Sequence, residues 1–425
     1  MGANILVTGA CGYIGGSIVA DFARHKGGLL ETARIHAAVR SDTQAESLST
    51  LDVTVVKIDL SNPYALAGYM IRNDVSIVIH TATSIDPEVA QNLITALKKR
   101  REANGKKAFF VHTSGLSAFD DNNGWPFGLV RDIDPVYFLE KQCTDSYIVR
   151  QVDVLVAEQT QAAGLTGLIV MPPTLHGRGS GTWNRLSPQI PALVKAAIKN
   201  RQVYRFEKDR IYSSPSQEVV LTHISDLTTF YAQLTEAILQ KRALPAGMSG
   251  YYFTVSHSVR WWDILDRLAE AMHARGLVDG PTTRVWPSDS FAAEALGVPV
   301  KFARSIWDSS PKVVCLNKDL IGWKPVWNRE RLLQSIDQEI DDYLELGMPK
   351  SSLLDSLRTQ PQLSVGRIAY ANFPDARSTE SSVFWVIFIM QIGSGNTQNN
   401  VAAQTGLKEG KKEDERVSMQ HNTLK

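Results

Sequence analysis

Thr8-Gly9-Ala10-Cys11-Gly12-Tyr13-Ile14-Gly15 is the stretch on which the reading of this chain turns. A short apolar run, Ile5-Leu6-Val7, leads into it, and a helical pattern through Ile18, Val19 and Phe22 leaves it. Strand, glycine turn and helix in that order predict a phosphate cradle. Gly9 allows the tight turn off the strand. Gly12 removes the Cβ that would hold a pyrophosphate away, and Gly15 lets the helix pack close to the sheet. The helix N-terminus, at Tyr13 and Ile14, then offers free N–H groups and the positive end of its dipole. The spacing is G-x-x-G-x-x-G, not the commoner G-x-G-x-x-G. Its position between strand and helix points to a dinucleotide.

Outward from the turn, apolar runs recur. Ile35–Val39, Val53–Ile58, Val75–Ile79, Ala108–His112 and Leu165–Val170 read as further strands. Helical patterns such as Glu88–Lys99 and Val152–Ala163 lie between them. The strands are almost wholly apolar, as parallel strands covered on both faces should be. Strands alternating with helices at this interval predict an α/β fold, a doubly wound parallel sheet of Rossmann type. Ligands of such sheets bind outside the carboxyl ends of the strands. Arg40 stands at the end of strand two, where an acid would hold the adenine ribose hydroxyls and an arginine accommodates a 2′-phosphate. Arg40, with Ser41 beside it, therefore argues for NADP(H), with NAD(H) the alternative. Asp59-Leu60 follows strand three; its carboxylate either accepts from the adenine amino group or caps the next turn. Ala82 and Thr83 after strand four, Thr113 at strand five and Pro172 after strand six complete the expected cofactor edge.

The second half is more mixed. Val219–His223 and Tyr251–Val255 read as strands. Trp183–Asn200 reads as a linker and a helix, and Asp226–Leu239, Arg260–Arg275, Ser288–Leu296 and Glu330–Leu346 read as further helices. The expected organisation is a dinucleotide-binding core over 1–180 and a smaller mixed α/β substrate-binding region over 181–347, interleaved with the end of the sheet. A largely disordered tail is expected over 348–425. The tail holds one strongly apolar run, Val383–Ile392, ten residues long, where a membrane span needs about 20; no stable membrane insertion is expected.

Of the 425 residues, 44% are hydrophobic and 21% charged, and the net charge is +1. That balance fits a globular chain with a sizeable core and gives no reason to expect a nucleic-acid partner. Cys11, Cys143 and Cys315 are far apart and form no metal pattern or even disulfide set, which fits a reducing compartment. Met1 leads directly into the first strand, so the expectation is a cytoplasmic protein without a secretory leader. The expected partner is a small-molecule substrate, with a homodimer left open. Lys98-Lys99-Arg100-Arg101 reads as a solvated helix end. Trp261, Trp262, Trp307 and Trp323 read as core or lid packing.

These pieces together resemble the extended short-chain dehydrogenase/reductases of the NAD-dependent epimerase/dehydratase type. The resemblance is carried by residues 8–15, Asp59-Leu60, His80-Thr81-Ala82 and His112-Thr113-Ser114. Beyond them come Met171-Pro172-Pro173-Thr174-Leu175-His176-Gly177, Thr222-His223-Ile224-Ser225-Asp226-Leu227 and Gly322-Trp323-Lys324-Pro325. It runs from residue 1 to about 347. It implies an NAD(P)-dependent oxidoreductase or epimerase acting on a small oxygenated metabolite by hydride transfer at a carbonyl or alcohol carbon. The alternative is a non-catalytic NAD(P)-binding sensor or scaffold on the same fold.

The resemblance also implies a Ser/Thr, a Tyr and a Lys: the Tyr exchanges a proton with the substrate oxygen, the Lys lowers the Tyr pKa, and the Ser/Thr hydrogen-bonds the same oxygen. Ser114 matches the first place. For the others the pattern departs, and three arrangements stand open. Tyr137 and Lys141 have the Y-x-x-x-K spacing that puts both on one helix face, displaced by an insertion. Tyr147 lies where counting back from strand six places the tyrosine, with Gln151 in the lysine place and Arg150 the only cation there. In the third arrangement neither pair acts. His176, in the substrate-loop region, reads as a ligand or as a solvated loop residue.

Overall fold

Ile5, Leu6 and Val7 are fully buried and form the centre of β1 (Asn4–Thr8), an interior strand of a seven-stranded sheet. The structure, a computed structural model, describes residues 2–207 and 218–350. From β1 the chain passes through α1 (Tyr13–Arg24), β2 (Arg34–Val39), α2 (Asp42–Ser47), β3 (Thr54–Lys57), α3 (Pro63–Arg72), β4 (Val75–His80), α4 (Pro87–Asn104) and β5 (Phe109–Thr113). A short β6 (Val130–Arg131) and α5 (Val136–Gln142) come before α6 (Ile148–Ala162) and β7 (Thr166–Met171). Then follow β8 (Thr174–His176), α7 (Gln189–Asn200), β9 (Tyr204–Arg205), β10 (Glu218–His223), α8 (Ile224–Leu239), β11 (Tyr251–Phe253), β12 (His257–Arg260) and α9 (Trp261–Ala274). The last elements are β13 (Arg284–Val285), α10 (Asp289–Leu296), α11 (Val300–Trp307), β14 (Val313–Val314), α12 (Lys318–Ile321), α13 (Arg329–Gln334) and α14 (Ile336–Leu346).

The large sheet has the order β3-β2-β1-β4-β5-β7-β11, and every neighbouring pair is parallel. Its side chains alternate between two dry layers. Leu6, Val78, Phe110 and Ile169 belong to the layer completed by α3, α4 and α6. Ile5, Val7, Ile77, Ile79, Val111 and Leu168 belong to the layer completed by α1 and α8. Each such buried aliphatic side chain contributes about 1.5–3 kcal/mol relative to exposure. This two-faced burial is what the near-continuous apolar strands signalled. Strand order reverses between β1 and β4, so the crevice for a ligand opens at their carboxyl ends.

Helix boundaries follow local chemistry. In α4 the Asp86 carboxylate accepts the N–H groups of Glu88 and Val89, Pro87 takes the first position, and Gly105 ends the helix in the left-handed region, as capping rules require. Within the basic run at its end, Arg100 is not solvated: it is buried, 2.6 Å from the Asp74 carboxylate, and donates to the carbonyls of Lys106 and Lys107. The stretch expected as one helix over 330–346 is two, α13 and α14, parted at Ser335.

A third dry cluster joins α7, α9, α10, α11 and α14 around the small sheet β8-β10-β12. There β10 runs parallel to β8 and antiparallel to β12. β11, from the second half of the chain, pairs with β7 as the edge strand of the large sheet. The two halves are therefore tied together by backbone hydrogen bonds. Trp261, Trp307 and Trp323 are buried, and Trp262 lies under the Arg205 guanidinium at 3.8 Å. The run Val383–Ile392 and the rest of the expected tail beyond residue 350 lie outside the described residues.

Candidate active site

The glycine turn closes at the crevice. The Gly12 N–H donates to the Gly9 carbonyl at 2.7 Å, and Gly9 has φ +68°, the left-handed region that glycine adopts freely. A Cβ on Gly9 would stand 2.8 Å from the Ala82 Cα, and one on Gly15 2.3 Å from both the Gly9 carbonyl oxygen and Thr81 Oγ1. The turn is thus pressed against the end of β4, with Ala82 at the contact. No acceptor among the described residues takes the N–H of Tyr13, Ile14 or Gly15, and α1, twelve residues long, has no side-chain cap. A free, uncapped helix N-terminus behind a glycine turn fits the pyrophosphate of a dinucleotide. The Tyr13 side chain points elsewhere. Its hydroxyl reaches the carbonyls of His176 and Gly177 at 3.0 and 2.7 Å, tethering the turn to β8.

Around the turn, the expected cofactor residues fall into two kinds. Arg40 is exposed at the end of β2; its backbone N–H donates to Gln44 Oε1, and its guanidinium meets no acceptor among the described residues. Ser41 caps α2 by accepting the Gln44 N–H. Asp59 caps the turn through one oxygen: Oδ1 accepts from the Ser61 N–H at 2.9 Å and hydroxyl at 2.8 Å, bonds that hold its pKa below the usual range. Leu60 packs against the core. Thr83 Oγ1 accepts the Ile85 N–H. Thr113 is buried, its hydroxyl 2.5 Å from that of Tyr231, and the Pro172 carbonyl accepts the Leu116 N–H.

The proton-transfer candidates do not converge. α6 starts at the carboxyl edge of the sheet and runs to the opposite edge to feed β7, so position along it measures depth. Ser114 donates its hydroxyl to Asp153 at 2.6 Å, and both are buried. Tyr137 donates instead to Glu158 at 2.6 Å, and Lys141 bonds the same carboxylate at 2.6 Å and the Tyr137 hydroxyl at 2.9 Å. Glu158 lies five residues beyond Asp153, about 7.5 Å farther down the helix. The Y-x-x-x-K pair forms, but it closes on Glu158, while Ser114 closes on Asp153. Burial and the Glu158 carboxylate push the Tyr137 pKa up, against the pull of Lys141.

Tyr147 stands where α6 begins, half-buried, with its hydroxyl 3.2 Å from Ser117 Oγ. Ser117 lies in the single turn Leu116–Phe119 after β5. Burial raises the Tyr147 pKa; the Ser117 bond and the nearby Arg150 charge oppose it. Arg150 does not offer a free cation in the lysine place. It is fully buried and donates to the carbonyls of Cys143, Ala118 and Asn123 and to Ser146 Oγ. Its guanidinium carbon is 5.4 Å from the Tyr147 ring. Arg150 therefore clamps the segment carrying Ser117 to the one carrying Tyr147.

Ser117 and Asp153 are the residues that sequence reading missed. The signal for Asp153 was present: an acid inside the apolar run Val152–Val156. For Ser117 the only cue was a second hydroxyl three residues after Ser114. His176 is neither solvated nor in a loop. It ends β8, fully buried, its ring 5.0 Å from His223 and 5.3 Å from Trp327, and burial drives its pKa well below the usual value.

Among the described residues no group of His, Cys, Asp and Glu could hold a metal, and no helix is long and apolar enough to cross a membrane. A search of the curated proteins finds no match. Among solved structures, the chain is similar to UDP-glucuronic acid 4-epimerase from Bacillus cereus, in complex with UDP-glucuronic acid and NAD. The identity is 15% over 81% of this chain and 99% of that one, with a TM-score of 0.53. It is likewise similar to dTDP-glucose 4,6-dehydratase from Bacillus anthracis, in complex with NAD, at 14% identity, 81% and 98% coverage and a TM-score of 0.55. At these identities the likeness speaks for the fold. The sequence profile of the NAD dependent epimerase/dehydratase family matches residues 5–244. With the glycine turn pressed into the β1–β4 crevice, the chain belongs to that family of NAD-dependent enzymes.

Proposed function

We propose that this chain transfers hydride between NADP(H) and a carbonyl or alcohol carbon of a small oxygenated metabolite, with Tyr147 exchanging the proton at the substrate oxygen. The observation that carries this reading is the Tyr147–Ser117 hydroxyl pair at 3.2 Å, between two part-buried residues at the carboxyl edge of the sheet. The bound dinucleotide supplies or accepts the hydride. The free N–H groups after Gly12 would hold its pyrophosphate, and Arg40, whose guanidinium meets no acceptor among the described residues, would hold a 2′-phosphate. Tyr147 gives its Oη proton to the developing alkoxide, or takes one from an alcohol in the reverse direction. Ser117 orients that oxygen, and Arg150 keeps the two segments in register and places a positive charge beside the phenol.

The test is NADPH fluorescence titration followed by turnover on a panel of carbonyl compounds. Tyr147→Phe lowers kcat by about 10²–10⁴-fold, the usual worth of a positioned acid or base, and leaves the NADPH Kd unchanged. Tyr137→Phe leaves kcat within about twofold of wild type on the same argument. Full turnover by Tyr147→Phe removes it from the chemistry.

A further inference from the structure

Behind Ser114 lies a buried polar cluster that the reaction above does not use. Asp153, Glu140 and His112 are each 0% exposed. Ser114 donates to Asp153 Oδ2 at 2.6 Å, and Tyr251 donates to Glu140 Oε2 at 2.9 Å. That leaves Asp153 Oδ1 and Glu140 Oε1 with no donor among the described residues, although the two carboxyls lie within hydrogen-bonding reach of each other. His112 Nε2 is 3.5 Å from Asp153 Oδ1, too far for a good hydrogen bond. Two carboxylates in contact in a dry interior cannot both ionise. One proton between them would satisfy both orphaned oxygens at once.

We infer that Glu140 and Asp153 share a single proton, that Asp153 thereby remains the acceptor for the Ser114 hydroxyl, and that Ser114 presents only lone pairs to the site. The substrate group that meets Ser114 is then a hydrogen-bond donor, an alcohol O–H in preference to a carbonyl oxygen. Asp153 and Glu140 are positioning residues, acting through Ser114. The substrate part of this inference rests on the hydride-transfer reading; the shared proton does not.

The surroundings agree. On α6, Arg150 lies one turn before Asp153 and balances the one negative charge, and Tyr147 stands at the start of the same helix. Tyr251 comes from β11 and His112 from β5, with His80 of β4 stacked behind it at 5.4 Å. Burial drives the His112 pKa well below its usual value and that of His80 down to about 4, so both rings are neutral at pH 7. Burial and the Asp153 charge push Glu140 well up. Burial also raises Asp153, to about 7, against the pull of the Ser114 bond.

Infrared spectroscopy of the full chain, scanned over pH, reads the proton directly through the carbonyl stretch of a protonated buried carboxyl. Wild type shows such a band from the pair at neutral pH, told from that of the buried Glu339 by a Glu339→Gln background. Glu140→Gln abolishes it, and Asp153→Asn abolishes or displaces it. Ser114→Ala raises the pH at which the pair loses its proton by about one to two units, because the carboxylate loses a charge-assisted donor. Absence of the band at neutral pH, or its persistence unshifted in both carboxyl variants, overturns the shared proton. A downward shift in Ser114→Ala overturns the direction of the serine bond. Neither result touches the Tyr147 assignment, which turnover tests separately.

Discussion

The glycine turn and the start of α6 are both parts of the carboxyl edge, yet they are built on opposite principles. At the turn, function follows from what is missing. Gly9 and Gly15 have no Cβ, and the space they leave is what brings backbone N–H groups to the crevice. At the start of α6, the proposed chemistry depends on what is held. Arg150 donates to three carbonyls and one hydroxyl, so that Ser117 and Tyr147 meet. A site made of omissions depends on local sterics and is written in local sequence. A site made of long polar side chains depends on partners that arrive from elsewhere in the chain.

The sharpest way to break this contrast is Arg150→Ala. It strands the carbonyls of Ala118, Asn123 and Cys143, and truncating one partner of a buried charged network costs about 3–5 kcal/mol. Chemical denaturation would show the loss. Arg150→Lys recovers only part of it, because a point-charge ammonium cannot serve the same planar set of acceptors. If Arg150→Ala cost less than about 1 kcal/mol, within the range of an ordinary surface change, the clamp would be incidental, and Tyr147 would owe its position to something else.

Gly15→Ala probes the other side. The added Cβ would meet the Gly9 carbonyl oxygen and Thr81 Oγ1 at 2.3 Å, and overpacking of this kind costs about 1–3 kcal/mol. The expected result is a lower thermal midpoint together with a raised NADPH Kd, since the atom that must move belongs to the cradle. Gly280→Ala is the control: nothing lies within 4 Å of its Cβ, so both quantities should stay at wild-type values. Unchanged NADPH binding in Gly15→Ala would separate the glycine from the cofactor.

The same contrast explains what could be read in advance. Periodicity found the strands, because burial on both faces leaves no charged residue in Val75–Ile79 or Leu165–Val170. It found the turn, because only glycine tolerates the Gly9 conformation pressed on Ala82. It could not say that Lys141 would turn to Glu158, that Ser114 would donate inward to Asp153, or that Arg100 would leave the surface for Asp74. Spacing places a side chain on a helix face; it does not choose among the partners that other elements bring to that face. The segment carrying β6 and α5 made this worse, by offering a Y-x-x-x-K pattern that satisfies itself with a carboxylate on α6. Buried acids such as Asp153 do leave a trace, since a charge inside an apolar run must be paired or neutral.

The smallest expected effect concerns cofactor choice, and it sharpens the comparison because Arg40 belongs to neither kind. Its side chain is neither omitted nor held: it is exposed at the end of β2 with no acceptor among the described residues, while neighbouring charges are already matched, Asp42 with Lys57 at 2.7 Å. A guanidinium left free at this place has its best partner in a phosphate, which it binds through two parallel N–H bonds. Arg40→Asp should therefore raise the Kd for NADPH by about tenfold, equivalent to about 1.4 kcal/mol of binding, and leave the Kd for NADH level or lower. An acid at the strand end accepts from the ribose hydroxyls that NADH keeps and repels the phosphate that NADPH adds. Fluorescence titration with both nucleotides at two salt concentrations reads the outcome. The NADPH loss should shrink at high salt, because an exposed charge contact is screened. Equal weakening of both cofactors would show that the substitution had disturbed the β2 edge itself. The selectivity would then have to come from Ser41 or the turn beside it.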